Sequence, residues 1–464
     1  MAEPAKQVMA LTINGEKPIK DPFPGSSRLI LGSSGAAKTT ACTLPTIQSL
    51  LSNQDVSVIC SDVKSGEASG QILPLANEAG RKFGLLDSFF MFGRDHPNQA
   101  KLNPFGAILS AYYNAPVELF FAMQSSMLVL VPEVTDGGRN KFWRDAAREQ
   151  IECAVRCLLN HNPKLLTPGA TYVLMTDPDT WRHARELATT SEDEATAALA
   201  RQSLDLQERN PELFYQHHST AISALRCYEP GSALHLAGID ADVTHAEIIR
   251  DGWLLFVVMP QNHAAQVGCH TGLHLQAFMH AQLQPDAGKA VYILDELCNA
   301  PLKELVDRVT IMRSYGASAL YIAQSRKDIE RKYGEREAAI LEENCPIIQY
   351  LSFSHFEEAE RVSRAMGESR SVTLNVGLSS GNDEFSSNFN SGKERVFTPD
   401  ELMALPPTEQ IIRIKGYGWL HCRKLFQNEI EPSCYHLGHN ALEGGILPPN
   451  PKIWLPMYPG QVRP

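Results

Sequence analysis

The chain has 464 residues, of which 43% are hydrophobic and 20% charged, and this balance excludes a wholly disordered or fibrous protein. Its 42 Lys and Arg residues against 53 acidic ones give a net charge of −11, which excludes a protein that binds nucleic acid over its whole surface. No apolar run approaches the ~18–20 residues of a transmembrane helix, and the N-terminus has no signal-peptide pattern. We expect a cytoplasmic chain with reduced cysteines.

Short apolar runs that alternate with helical stretches are typical of a parallel sheet with crossover helices. After an extended lead-in that ends near Gly25, three such runs occur at Arg28–Leu31, Val56–Cys60 and Leu85–Phe92. Strand-like runs resume later, at Trp253–Met259, Ala290–Leu294, Ser318–Ala323, Ile347–Phe353 and Glu409–Ile414. The predicted fold class is therefore α/β.

The middle of the chain has a different pattern. Apolar residues recur at helical spacing, for example from Phe142 to Leu158, and only Tyr172–Met175 is a weak strand candidate. We predict an all-α domain at 107–245, inserted into an α/β domain made of 1–106 and 246–464. Within the latter, the Ser/Asn/Gly-rich segment 369–394 predicts a mobile loop, and the Pro-rich segment 448–464 predicts an extended tail.

A phosphate-binding loop is indicated by Gly32-Ser-Ser-Gly35-Ala-Ala37-Lys38-Thr39, which follows a strand-like run and precedes a helical stretch. The backbone N–H groups of such a loop surround phosphates, and the helix N-terminus adds its dipole. Lys38 would reach the β- and γ-phosphates, and Thr39 would ligate Mg²⁺. A Ser/Gly turn with a chance lysine is the alternative, since Ala37 replaces the usual glycine. The predicted nucleotide-binding residues are Gly32, Gly35, Ala37, Lys38, Thr39 and Thr40.

Two acids follow the apolar run that ends at Leu294, as in a Walker B element. At the carboxyl end of a central strand, Asp295 would hold Mg²⁺ and Glu296 would polarise the attacking water as a general base. An ordinary strand that runs into a solvated turn is the alternative. The phosphate loop and the acids occur in the expected order, which favours ATP and Mg²⁺ as ligands.

Two further residues are candidates for catalysis. Gln324 ends the next strand-like run and would sense the γ-phosphate from the neighbouring strand. Arg313 precedes that run and could reach a phosphate in the same or a neighbouring subunit. A polar strand end and a surface arginine are the respective alternatives.

At this point the sequence resembles a known family, the coupling proteins of type IV secretion, which are conjugative DNA-transfer ATPases. The resemblance extends along most of the chain and rests on many short stretches in a fixed order. These are Leu29–Thr40, Leu44-Pro45, Val58–Lys64, Asn103–Phe105, Phe142–Arg148, Leu294–Glu296, Met312–Gly316, Ala323–Ser325, Lys332–Gly334, Val362–Gly367 and Arg395–Leu402.

The resemblance implies a RecA-like motor domain with a helical domain that recruits substrate, working as a hexamer around a central channel for DNA. It implies ATP hydrolysis that drives relaxase-bound DNA, or effector proteins, to other secretion components at the inner membrane. The chain would be cytoplasmic or peripheral at that membrane, and a monomer in isolation is the alternative assembly. By position, Lys38 and Thr39 match the nucleotide loop, and Asp295 and Glu296 the acidic pair. Gln324 matches the sensor, and Arg313 the arginine that acts on the adjacent subunit.

Two features depart from the family pattern. Its members usually begin with transmembrane helices, for which this sequence offers no candidate. The methyl group of Ala37 would strain the backbone or crowd the phosphates, by about 1 kcal/mol if the local φ is unfavourable. Two other functions therefore stay open: a nucleotide-gated docking adaptor with little hydrolysis, and another hexameric DNA-pumping ATPase.

Overall fold

The computed structural model describes residues 7–133, 140–298, 308, 311–378, 385–440, 442 and 444–463, with side chains throughout except at 370–392. Within these ranges, helices cover both faces of one large mixed sheet. The α/β class predicted from the alternation of short apolar runs and helical stretches is confirmed.

The strands of the described residues are numbered here in chain order. They are β1 (Val8–Leu11), β2 (Pro18–Lys20), β3 (Arg28–Leu31), β4 (Val56–Asp62), β5 (Phe83–Leu86), β6 (Leu254–Val258), β7 (Lys289–Leu294), β8 (Ala317–Ala323), β9 (Ile347–Tyr350), β10 (Glu368–Leu378), β11 (Phe385–Arg395), β12 (Glu409–Ile414), β13 (Gly418–Arg423), β14 (Ile430–Glu431) and β15 (Ile453–Trp454).

Eleven of these strands form one sheet in the order β2-β1-β13-β12-β9-β3-β8-β7-β4-β6-β5. From β9 to β5 all neighbours are parallel. The remaining pairs, from β9 through β12, β13 and β1 to β2, are antiparallel. Parallel strands are buried on both faces and therefore have nearly continuous apolar sequences, which is why sequence analysis located most of them.

The α-helices of the described residues are likewise numbered in chain order. They are α1 (Leu44–Leu50), α2 (Glu67–Glu78), α3 (Gly106–Asn114), α4 (Leu119–Leu130), α5 (Lys141–His161), α6 (Pro168–Thr176), α7 (Pro178–Ala188), α8 (Glu194–Arg209), α9 (Pro211–Ala224), α10 (His245–Arg250), α11 (Ala264–Gln282), α12 (Arg326–Tyr333), α13 (Glu335–Asn344), α14 (Phe356–Met366) and α15 (Pro399–Met403).

The sheet separates two hydrophobic cores, because successive side chains of a strand point to opposite faces. In β3, Leu29 and Leu31 join the core under α10 to α15, whereas Ile30 joins the core under α1 and α2. All three side chains are at most 1% exposed. The burial on both faces holds the central strands, and therefore their carboxyl ends, in fixed positions.

Between β5 and β6, the regular secondary structure of the described residues is entirely helical. Its core contains Trp181 and Phe214, and the fully buried guanidinium of Arg185 lies 4.6 Å and 4.9 Å from their ring centroids. Such cation–π contacts partly replace the hydration that the buried charge has lost. The predicted helical insertion is confirmed, while its boundaries at 107 and 245 stay a prediction.

The strand candidate Tyr172–Met175 was wrong, because these residues lie inside α6. The Thr167 side chain accepts a hydrogen bond from the Ala170 backbone N–H, and Pro168 occupies the first helical position. This N-cap and proline together favour a helix start and outweigh the β-branched Val173.

Of the mobile loop predicted at 369–394, residues 379–384 lie outside the described residues, and the others form the paired strands β10 and β11 instead of a loop. They form an antiparallel hairpin whose register runs from Glu368↔Arg395 to Leu378↔Phe385. The apolar residues Val372, Leu374 and Val376 alternate with polar ones, which is the pattern of a strand. The Ser- and Asn-rich composition concealed that pattern.

Two boundaries also differ from the prediction. The run Leu85–Phe92 holds only the end of β5, since the Asp87 carboxylate accepts a hydrogen bond from the Phe92 backbone N–H (2.8 Å) and closes a turn. The N-terminal lead-in contains β1 and β2 at the edge of the sheet. The C-terminal segment contributes β15, which pairs with β14, while an extended tail over the whole of 448–464 stays a prediction.

Among the helices of the described ranges, none combines the length and the apolar character that crossing a membrane requires.

Candidate nucleotide-binding site

Three of the predicted site residues follow adjacent parallel strands: Gly32 follows β3, Gln324 follows β8, and Asp295 follows β7. Asp62, which sequence analysis did not assign to the site, ends the next strand, β4. Because parallel strands end at the same edge of a sheet, these residues lie along one side of the fold. Open α/β sheets bind ligands at this side.

The loop after β3 is shaped by its glycines. A Cβ atom at Gly32 would lie 3.0 Å from Leu351 Cβ and 3.1 Å from Ala36 Cβ, so a larger residue would require both neighbours to shift. Gly35 has φ +78°, in the left-handed region that glycine adopts without strain. The loop then enters a π-helical turn at Thr39–Thr43 that continues into α1. The chain therefore makes the tight turn into a helix that phosphate-binding loops require.

Lys38 lies inside this loop and is 4% exposed. Its Nζ donates hydrogen bonds to the carbonyl oxygens of Gly32 (2.9 Å) and Ser33 (3.2 Å), and lies 3.5 Å from Glu296 Oε1. A buried ammonium needs such partners, because the loss of hydration is costly. The charge is thus held where a phosphate on the loop would meet it.

Thr39 and Asp295 approach each other across the same edge. The Thr39 hydroxyl lies 3.5 Å from Asp295 Oδ2, and both side chains are buried. A hydroxyl and a carboxylate are oxygen ligands that Mg²⁺ accepts, with nucleotide phosphates and water supplying the others. The donor set therefore fits a magnesium–nucleotide complex.

Burial raises the pKa of the Asp295 carboxyl to about 6. The carboxylates of Glu296 and Asp62 add to this rise. The ammonium groups of Lys64 and Lys38 oppose it. Burial is the largest cause of this rise, so the ionised carboxylate is poorly solvated at the end of β7, and a cation beside it would stabilise it.

Glu296 and Gln324 are neighbours at the ends of β7 and β8. Gln324 Nε2 donates to Glu296 Oε2 at 3.3 Å, and Gln324 is exposed toward the edge of the sheet. Glu296 has φ +49°, an unusual backbone conformation for glutamate that clusters at functional sites. The pair is arranged so that a carboxylate and an amide face the same space.

Ala37 has φ +66°, so the strain expected for its methyl group is present. The left-handed conformation costs a residue with a Cβ atom roughly 1–2 kcal/mol. The Ala37 carbonyl accepts hydrogen bonds from the Ala41 N–H (2.8 Å) and the Thr40 hydroxyl (3.4 Å), which hold the residue in place.

We expect Ala37→Gly to raise the free energy of unfolding by about 0.5–1 kcal/mol, because glycine adopts this φ without strain but gains entropy in the unfolded chain. Urea denaturation monitored by circular dichroism measures the change. Ala36→Gly is the matched control, since Ala36 has no positive φ and should lose stability. A loss of stability in Ala37→Gly would contradict the strain argument.

Arg313 lies apart from the other predicted site residues. It is exposed in the 3₁₀ turn Arg313–Tyr315 at the start of β8, whereas Gln324 follows the end of that strand. Seven strand residues separate the two ends by roughly 20 Å at the usual rise of a strand. Arg313 therefore cannot reach the loop of its own chain.

The structure adds two lysines that sequence analysis did not assign to the site. Lys64 Nζ donates to the Thr39 hydroxyl at 3.0 Å, and it follows the end of β4, a position that could have been noticed. Lys424 is 1% exposed and donates to the Ala36 carbonyl at 3.1 Å, and burial lowers its pKa. Nothing in the sequence around Lys424 indicates this contact.

Residues 289–407 match the family model TraG-D_C, described as the TraM recognition site of TraD and TraG. No curated protein matches the chain. Among solved structures, the bacterial conjugative coupling protein TrwBdeltaN70 in its unbound monoclinic form superposes with a TM-score of 0.63 and 18% identity, over 92% of each chain. The fold is that of a conjugative coupling protein. The predicted resemblance and the RecA-like domain with its all-α insertion are confirmed.

Other matches share this coupling-protein fold. TrwB in complex with the ATP analogue ADPNP superposes with a TM-score of 0.62 and 18% identity, over 93% of this chain and 92% of that chain. VirB4 of Thermoanaerobacter pseudethanolicus gives a TM-score of 0.52 and 14% identity, over 92% and 97%. TrwB was also solved with ADP and Mg²⁺. At these identities the matches show the fold, and the roles of the site residues stay a prediction.

Proposed function

We propose that the chain is the ATPase of a type IV secretion or conjugation system, which binds and hydrolyses ATP to move its substrate. The observation that carries this proposal is the convergence of Lys38, Thr39, Asp295, Glu296 and Gln324 on one edge of the sheet. A phosphate-facing ammonium, two magnesium ligands and a base beside an amide are the parts that ATP hydrolysis needs. Nucleotide complexes of TrwB support the same ligand class.

Each residue would have a separate task. The loop N–H groups and Lys38 bind and orient the phosphates, and Thr39 and Asp295 hold Mg²⁺, which neutralises charge on the phosphates. The Glu296 carboxylate accepts the proton of the attacking water, which the Gln324 amide orients. Both groups face the same space, so one water can contact both.

The helical insertion at 107–245 would recruit the substrate, which is relaxase-bound DNA or a secreted effector protein. The match to a model described as a TraM recognition site supports a docking role for part of the motor domain as well. We propose a homo-hexamer with DNA in its central channel, in the cytoplasm or at the inner membrane beside other secretion components. The net charge of −11 favours DNA contact confined to channel loops.

The test is ATP turnover by the purified chain, measured alone and with single- or double-stranded DNA. We expect DNA to stimulate the rate of ATP hydrolysis per chain. We also expect this rate per chain to rise with protein concentration, because rings then form. Turnover that is absent under all these conditions, with ATP still bound, would contradict the motor.

A docking adaptor gated by nucleotide is the second candidate, and the left-handed φ of Ala37 favours it. A strained loop can bind ATP and still hold the γ-phosphate in a position that is unfavourable for attack by water. The adaptor predicts substrate binding that ATP changes without turnover. A large gain of turnover in Ala37→Gly would indicate a motor limited by its loop.

Arg313 provides a test of assembly. Since it lies at the opposite end of β8 from its own site, we expect Arg313→Ala to leave ATP affinity within about twofold and to lower turnover of the assembled protein at least ~100-fold. Mixing Arg313→Ala with Asp295→Ala chains should restore part of the turnover, because some interfaces then take the arginine from one chain and the acid from the other.

Arg209→Ala is the matched control, because Arg209 is 80% exposed on the helical insertion. It should leave turnover unchanged. Ultracentrifugation that shows a monomer with full DNA-stimulated turnover would rule out an arginine acting between subunits.

A further inference from the structure

Lys64 joins the site from the strand next to β7. Its Nζ lies 3.0 Å from the Thr39 hydroxyl and 3.6 Å from Glu67 Oε2, and its side chain is 22% exposed. The turn that follows is fixed, since Ser65 has φ +57° and its N–H donates to the Met259 carbonyl at 3.2 Å. The lysine therefore enters the site from a rigid backbone.

Lys64 contacts the same hydroxyl that fits a magnesium ion. Thr39 Oγ1 accepts from Lys64 and also lies 3.5 Å from Asp295 Oδ2, so the ammonium sits beside the Thr39–Asp295 pair. Four acids surround this place, against the two ammonium groups of Lys38 and Lys64: Asp62, Glu67, Asp295 and Glu296. Lys64 supplies the second positive charge that this cluster needs.

We infer that the Lys64 ammonium takes the place of Mg²⁺ in the nucleotide-free site and competes with the metal for it. The inference rests on the proposed function, because it concerns the same magnesium site. A dication and an ammonium group that share one hydroxyl repel each other strongly, because the Coulomb energy is large at short distance and in a site of low dielectric constant. The metal would then enter the site together with the nucleotide, whose phosphates hold the dication beside Thr39, and the repulsion from that dication displaces the Lys64 ammonium.

Glu67 gives the displaced ammonium a second partner. It lies at the first turn of α2, already 3.6 Å from Lys64 Nζ, and is held by a hydrogen bond from Asn440 Nδ2 to its Oε1 (3.3 Å). The lysine stem has four flexible carbons, so the side chain can turn away from Thr39 without moving the backbone.

The experiment measures Mn²⁺ binding to the nucleotide-free full chain by electron paramagnetic resonance. Lys64→Gln should bind Mn²⁺ at least about tenfold more tightly than the wild type, because the competing charge is gone. Lys64→Arg keeps the charge and should bind about as weakly as the wild type. Adding Asp295→Asn to Lys64→Gln should abolish the gain, which locates the ion. Lys82→Gln, at a lysine that is 57% exposed, is the matched control.

Equal or weaker Mn²⁺ binding by Lys64→Gln would overturn the inference, as would a gain that survives Asp295→Asn. Melting temperatures give a second measurement: Lys64→Gln should melt lower than the wild type in EDTA, and Mg²⁺ should restore it. A loss that Mg²⁺ does not restore would indicate a purely structural lysine. The proposed function is tested separately by ATP binding to the wild type, so either idea can fail alone.

Discussion

Lys38→Ala is expected to lower ATP affinity at least about 100-fold, because it removes a buried charge that faces the phosphates. Lys38 is 4% exposed and is held by two loop carbonyls and by Glu296 at 3.5 Å. Without the ammonium, the Glu296 carboxylate would face the phosphates unopposed. Fluorescence titration with a labelled ATP analogue measures the change.

The control for this variant is Lys327→Ala, at an exposed lysine of α12 that pairs with Glu357 on the surface. It should bind ATP like the wild type. A circular dichroism spectrum shows whether Lys38→Ala still folds. Wild-type affinity in a folded Lys38→Ala chain would show that this loop is not part of the nucleotide-binding site.

Glu296→Gln is expected to keep ATP binding within about threefold and to lower turnover at least ~100-fold, because the swap keeps the shape of the side chain and removes the base. Binding should not weaken, since one negative charge near the phosphates is lost. The amide oxygen can still accept the hydrogen bond that Gln324 Nε2 donates at 3.3 Å. Single-turnover hydrolysis and equilibrium binding, measured on the same preparation, separate the two effects.

Glu357→Gln is the matched control, since Glu357 is 75% exposed on α14 and lies outside the site. Its turnover should equal that of the wild type. Unchanged turnover in Glu296→Gln would show that another group activates the water, and Asp295 would then be the next carboxylate to test.

The sequence was sufficient to predict most of the site because its residues follow buried parallel strands. Lys38 and Glu296 are far apart in the chain, yet each comes after an apolar run, and parallel strands end at one edge. Lys424 was missed because its contact with Ala36 joins residues 388 positions apart through an antiparallel part of the sheet. No local pattern records such a contact.

The missed strands have a different cause. Edge strands and hairpins carry many polar residues, so their amino-acid composition resembles that of a loop. The sequence around Val372 and Val376 in β10 is an example. Only their period of two identifies them. Lys64 was missed for a third reason. Its position after β4 was visible in the sequence, but its 3.0 Å contact with Thr39 depends on the side-chain conformation.

The position of the helical insertion has a consequence for the order in which the chain folds during synthesis. β4 pairs with β6 and β7, and the ribosome synthesises these two strands only after it has completed the whole helical insertion. Long-range pairing of this kind is slow, whereas helices form from local contacts, so the insertion should fold first. β1 obtains its β13 partner only when Arg423 has left the ribosome. Until then the growing chain exposes unpaired strand edges, and we expect its yield to depend on chaperones.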